Sequence, residues 1–173
     1  MQKTYAGIGS RQLSREEWEL CYRTGRWLAS EGWTLRTGAC SGADQAFAEG
    51  ALSLGGNVVL CLPWPSYEFK WVEPARGQGA TRQLLQFWDT DAFESVDKYH
   101  PNPSVLSDAV RKLHARNHLI VAPSKFVVAF PKPGKRGGLG GTGQGIRIAA
   151  DLGIHVIRLD EPIDRARVEA KVM

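Results

Sequence analysis

The chain has 173 residues, 43% of them hydrophobic, and a formal net charge of +4. That length suits a single domain, residues 1–173, with a sizeable core. No apolar run approaches the roughly 18 residues of a membrane helix, the start lacks the apolar segment of a secretory signal, and Cys21, Cys40 and Cys61 form no CxxC pair. A membrane span, a disulfide framework and a zinc ribbon are therefore excluded as expectations, and reduced thiols in a cytoplasmic setting are expected instead.

The first strand is Lys3 to Ile8, running into Gly9-Ser10-Arg11. Ser14 and Glu17 have capping-box spacing and open a helix to Glu31. Trp18, Cys21, Gly25 and Leu28 share its apolar face, with Gly25 permitting close packing, and Gly32 stops it. Trp33-Thr34-Leu35 is a second short strand, and Gln45 to Leu54 a second helix. Asn57 to Leu62, Phe126 to Phe130 and His155 to Leu159 are near-continuous apolar runs, the pattern of parallel strands covered on both faces. Alternation of such strands with helices predicts an α/β, Rossmann-like open parallel sheet with helices on both faces.

Residues 63–103 break the rhythm. They hold five of the nine prolines and three of the six tryptophans, and read as a long irregular insertion or lid. Within it, Arg82 to Trp88 fits a short amphipathic helix. The tail from Pro162 to Met173 reads as a terminal helix or a frayed end.

Two glycine-rich loops stand at strand-to-helix junctions. The first is Arg36-Thr37-Gly38-Ala39-Cys40-Ser41-Gly42-Ala43-Asp44, and the second runs from Gly137 through Gly140-Gly141-Thr142 to Gly145. Glycine lets backbone N–H groups approach a ligand, and a helix N-terminus adds partial positive charge. In open parallel sheets ligands bind beyond the carboxyl ends of the strands, where both loops fall. A phosphate-binding cleft is the expectation.

Arg116-Asn117, an apolar helix, Ser124, an apolar strand and then Gly140-Gly141-Thr142 together resemble the DNA-processing protein A (DprA/Smf) pattern. Gly38 to Asp44 is similar to that family's SGxARGID segment and more so to the GGAxGAD segment of the wider SLOG superfamily. Ala6 to Arg11 is similar to the superfamily's opening strand and loop. The resemblance spans most of residues 4–160 apart from the insertion. It implies a nucleotide-like ligand over the two glycine loops. Within the superfamily, DprA proteins bind single-stranded DNA and load a recombinase, and LONELY GUY enzymes cleave the base from nucleoside monophosphates. Other members carry molybdenum cofactor or sense nucleotide-derived signals. The short format resembles small stand-alone members from bacteria and phages. It leaves no room for the flanking domains of full-length DprA, so recombinase loading is not expected. Self-association into a homo-oligomer is expected by the same likeness.

The resemblance assigns Gly9, Ser10 and Arg11 to one wall of the cleft, and the N–H groups of Gly38, Ala39, Ser41, Gly42, Gly140, Gly141 and Thr142 to phosphate. Asp44, Arg116 and Asn117 complete the set. A LONELY GUY loop reads PGGxGTxxE. Aligning Gly141-Thr142 with its Gly-Thr puts Gly145 where the glutamate belongs, and a glycine cannot act as a general acid or base. Catalytic candidates are then Asp44, Glu49, Glu68 and Arg116, although Asp44 also suits the first turn of its helix. The leading function is nucleotide or nucleotide-derived ligand binding. The alternatives are N-glycoside hydrolysis of a nucleoside 5′-monophosphate and single-stranded DNA binding. The last would use Arg11, Arg36, Lys132, Lys135, Arg136 and Arg147, with Trp64, Tyr67, Trp71 and Trp88 as stacking surfaces. His114 and His118, four apart on one helix, lack a third ligand, so no metal and no cofactor is expected. Ser41 lacks the GxSxG elbow of a serine hydrolase.

Overall fold

The computed structural model describes residues 2–134 and 138–173. Six parallel strands form one sheet: β1 (Thr4–Gly9), β2 (Thr34–Thr37), β3 (Val58–Leu62), β4 (Thr81–Leu84), β5 (Phe126–Phe130) and β6 (His155–Arg158). Their order across the sheet is β4-β3-β2-β1-β5-β6. The chain steps outward from β1 to β4, then returns to the far side of β1 to lay down β5. The winding direction thus reverses between β1 and β5, whose carboxyl ends are in register at Gly9 and Phe130. Such a reversal opens a crevice beyond the two strands.

Among the described residues seven α-helices cover the sheet: α1 (Arg15–Ser30), α2 (Ala43–Leu52), α3 (Phe69–Gly77), α4 (Thr90–Tyr99), α5 (Asp108–Val121), α6 (Gly140–Asp151) and α7 (Pro162–Val172). Successive strand residues point to opposite faces, and they split the core in two. Tyr5, Leu35, Leu60, Leu62, Val128 and Phe130 pack with α1, α2, α3 and α7. Ala6, Ile8, Cys61, Val127 and Ala129 pack with α4, α5 and α6. The Ser14–Glu17 capping box opens α1, and Gly32 follows its C-cap at φ +80°. Gly25 meets Gly50 where α1 crosses α2: a Cβ on either would strike a backbone carbonyl oxygen, of Phe47 or of Tyr22 respectively.

Residues 63–103 are not an irregular insertion. They contain α3, β4 and α4, and extend the sheet by its edge strand. Arg82 to Trp88 is correspondingly not a helix; Arg82 to Leu84 belong to β4. The reason is local: Thr-Arg-Gln-Leu is a polar, mostly exposed edge strand without the apolar run that marks the buried ones. Trp64 and Trp71 dock on the core. The second glycine loop also differs from expectation, because α6 starts at Gly140 and takes in Gly141 to Gly145. Gly145 is helical because α6 presses on β1 there, and a Cβ would lie 2.7 Å from Ile8 Cδ1. No helix is long and apolar enough to cross a membrane among the described residues.

Candidate functional site

A cleft of about 360 Å³ opens beyond the carboxyl ends of β1 and β5. Ile8, Gly9, Ser10 and Arg11 form one wall, where Ser10 N–H donates to the Phe130 carbonyl (2.9 Å) and ties the two strand ends together. The N-terminus of α6 forms another, with Gly138 to Thr142 on its lining. Among the described residues no side chain caps α6. The first turn of a helix carries N–H groups without intrahelical partners, and this turn, with the positive end of the helix dipole, lies on the cleft lining. Asn117 Nδ2 donates to the Gly141 carbonyl (3.2 Å) and fixes this turn against α5.

The first glycine loop is organised differently. Ala43 N–H donates to the Ser10 carbonyl (3.0 Å), and Cys40 N–H donates to Asp44 Oδ2 (3.3 Å). Gly42, at φ +89°, packs so closely on Ser10 and Arg11 that any side chain would collide with their backbone. Arg116, only 3% exposed, lies over the loop: Nη1 donates to the carbonyls of Gly38 (2.6 Å) and Cys61 (3.0 Å), and Nη2 to Cys40 Sγ (3.1 Å). Ala39 holds φ +65°, a left-handed conformation uncommon for a residue with a Cβ. Helix α2 thus spends its N-terminus on packing, whereas α6 leaves its own open.

Of the residues predicted for ligand contact, Gly9, Ser10, Arg11, Asp44, Arg116, Asn117, Gly140, Gly141 and Thr142 line the cleft. Gly38, Ala39, Ser41 and Gly42 do not. The first two are buried beneath Arg116, and Ser41 is turned to solvent. Among the catalytic candidates, Glu49 accepts from Trp71 Nε1 (3.0 Å) and Glu68 sits exposed before α3, so neither reaches the cleft. Asp44 does. Burial pushes its carboxyl up to about 6, against the pull of Arg116 and the Cys40 N–H.

Sequence reasoning did not name Val110 on the lining. Only the fold shows that this end of α5 faces the crevice. Lys132 lines the cleft and pairs with Glu17 (2.9 Å). His114 also lines it, its ring edge-on to His100, and burial with the nearby charges lowers it to about 4. His114 is accordingly neutral at pH 7. His118 does not line the cleft, and no group of three or more metal-ligating side chains occurs among the described residues.

The proposed DNA-binding cations scatter. Arg36 is bound within the sheet by the Leu119 carbonyl (2.9 Å) and by Gln83, and Arg147 turns back to Gln144. Lys135 and Arg136 lie outside the described residues. Of the aromatics, Tyr67 is buried under Arg116, whereas Trp88 is exposed beside Phe87.

A sequence model of the SLOG cluster4 family matches residues 3–73. An uncharacterized protein of Archaeoglobus fulgidus is 30% identical over 108 residues, covering 61% of this chain and 72% of that protein. The structure of DNA processing protein A from Helicobacter pylori, described with a single-stranded DNA binding mode, superposes with a TM-score of 0.64. The identity is 17%, over 99% of this chain and 74% of that one. DprA of Streptococcus pneumoniae gives 0.61 at 19% identity over 91% of this chain, which spans 50% of that protein. The molybdenum cofactor binding protein of Rippkaea orientalis gives 0.57 at 20% identity, over 100% and 88% of the two chains. These structures share the Rossmann-like fold with this chain, and the family model covers its opening strand and first glycine loop. The chain belongs to the SLOG superfamily.

Proposed function

We propose that this protein binds a nucleotide or a related phosphorylated molecule in the cleft between β1 and β5. The observation that carries the reading is the uncapped N-terminus of α6, with glycines at its first two positions, at the point where the sheet reverses its winding. Phosphate there would meet the backbone N–H groups of the first turn and the positive end of the helix. Arg11 stands on the lining to supply a full charge, and Lys132 stands there paired with Glu17. Val110, Leu113 and His114 offer an apolar and neutral surface for a base or ribose. The resemblance of the neighbouring folds to proteins named for binding single-stranded DNA or molybdenum cofactor supports the same class of ligand.

A second reading rests on Asp44. Asp44 lines the cleft, and burial pushes its carboxyl up to about 6, toward the range a general acid or base uses. N-glycoside hydrolysis would then run with Asp44 in place of the glutamate that Gly145 lacks. Position 145 cannot supply that acid, because it faces Ile8 and Val121 in the core. Asp44 is 5% exposed and its Oδ2 already accepts the Cys40 N–H, which favours binding over turnover.

Titration calorimetry with each common nucleoside monophosphate, followed by chromatography of the mixtures, separates the two. Saturable binding without free base supports the binding role. Free base at several turnovers per minute, lost in Asp44→Asn, establishes the hydrolase instead. Absence of binding to all of them, with a salt-dependent shift of a single-stranded oligonucleotide, would replace both by the DNA reading.

A further inference from the structure

The three thiols occupy unlike surroundings. Cys21 and Cys61 are fully buried, and burial pushes the first well above the ordinary thiol range and the second up to about 11. Cys40 is 9% exposed and opens on the cleft. Around its sulfur stand Arg116 Nη2 (3.1 Å), Arg11 Nη2 (3.7 Å) and the Tyr67 hydroxyl (3.0 Å).

Charge in this corner does not balance. Neither Arg11 nor Arg116 makes an ion pair with a carboxylate among the described residues. Asp44, the one acid on the lining, acts on Arg116 without forming a salt bridge to it. One carboxyl group against two guanidiniums leaves an excess of positive charge in a desolvated place, which is costly. Arg116 Nε adds a second sign: it is buried, on a side chain that lines the cleft, and has no hydrogen-bond partner among the described residues. An anionic sulfur, or an oxygen carried on it, would supply both the charge and an acceptor.

We propose that Cys40 is a reactive cysteine, oxidised in place by a peroxide to a sulfenate that Arg11 and Arg116 hold in the cleft. The sulfur attacks one peroxide oxygen, an S–O bond forms and the O–O bond breaks. The second oxygen leaves as hydroxide and takes up the thiol's proton as water; the sulfur gives up two electrons and the peroxide gains them. The guanidinium N–H groups that already reach the sulfur then donate to the negative oxygen. The proposal does not depend on any ligand. Its consequence for one is direct, since the added oxygen stands on the lining where phosphorylated molecules are expected.

Hydrogen peroxide in slight excess, followed by mass spectrometry of peptides, tests it. Cys40 should gain one oxygen while Cys21 and Cys61 stay unmodified until denaturant is added. A thiol reductant should reverse the gain, which separates it from methionine sulfoxide at Met1 or Met173. Iodoacetamide should label the same cysteine first, and Arg11→Ala should slow both reactions several-fold, with Arg11 exposed enough for the fold to persist. Equal reactivity of the three thiols, no reaction of Cys40 in the folded protein, or unchanged rates in Arg11→Ala would overturn the proposal.

Discussion

Arg116→Ala is the substitution that tells most about how this cleft is built. The guanidinium bonds the carbonyls of Gly38 and Cys61, and so ties the first glycine loop to the end of β3. Removing it leaves two buried acceptors unpaired. A hydrogen bond from a charged group contributes about 1.5–3 kcal/mol, so the two together set a ceiling of about 3–6 kcal/mol. Part of that is offset, because burying the cation is itself unfavourable by several kcal/mol. A net loss of about 3 kcal/mol follows, or about 6–12 °C in Tm for a chain of this size. Urea unfolding followed by tryptophan fluorescence measures it, and Arg116→Lys should fall between the two because one ammonium cannot reproduce the fork. If Arg116→Ala is insoluble, Arg116→Lys alone should still show a lowered midpoint. The reasoning fails if the alanine variant unfolds at the wild-type midpoint while ligand affinity disappears. Arg116 would then be a phosphate ligand and not a clamp.

The two glycine loops should respond differently to one change. Gly141→Val places its side chain in the open cleft, with Asn117 Nδ2 as its nearest neighbour at 3.6 Å, so calorimetry should show lost nucleotide binding at an unchanged Tm. Gly42→Val, at positive φ and against the Ser10 and Arg11 backbone, should lower Tm first. A third prediction concerns acid. Asp44 sits at about 6 when folded, above its ordinary 3.8, so its ionisation destabilises the fold: its contribution is fully present below about pH 4 and lost as pH rises through 6. His114, lowered to about 4, works oppositely: its contribution is present above 6.5 and lost as pH falls. Wild-type stability should therefore change little between pH 4 and 6. Asp44→Asn should gain up to about 3 kcal/mol at pH 7 and become less stable on acidification. A flat profile in that variant as well would contradict both assignments.

How much of this was legible depended on the range of the interactions. The capping box at Ser14 and the stop at Gly32 are local, and the sequence states them outright. β3 and β5 are apolar throughout because both of their faces are covered, so they too were readable. β4 was not, because an exposed edge strand of Thr, Arg, Gln and Leu carries neither the apolar run nor a clear alternation. Both glycine loops were visible as composition, but not the division between them. That division is set by Ser10 and Arg116, which lie 30 or more residues from one loop or the other and reach it only in the folded chain. Val110 remained hidden for a related reason: an apolar side chain on a helix has the same signature whether it faces a core or a cleft.

That division also bears on where an anion is held. The N-terminus of α2 is covered by the Ser10 carbonyl and carries Asp44 in its first turn, so its positive end already faces a carboxyl group. A phosphate brought there would displace packed backbone and meet a negative charge. The N-terminus of α6 has no acid in its first turn and, among the described residues, no side-chain cap, and Asn117 holds the carbonyl side of that turn. Two similar glycine-rich segments thus carry opposite electrostatic characters, one a scaffold beside an acid and the other suited to the anion of the proposed reading. Placing phosphate over α6 and the rest of the molecule toward Asp44 and His114 follows from that asymmetry. It sets the only acid on the lining across from the phosphate, where Asp44 can meet the uncharged part of the ligand without repelling the charged one.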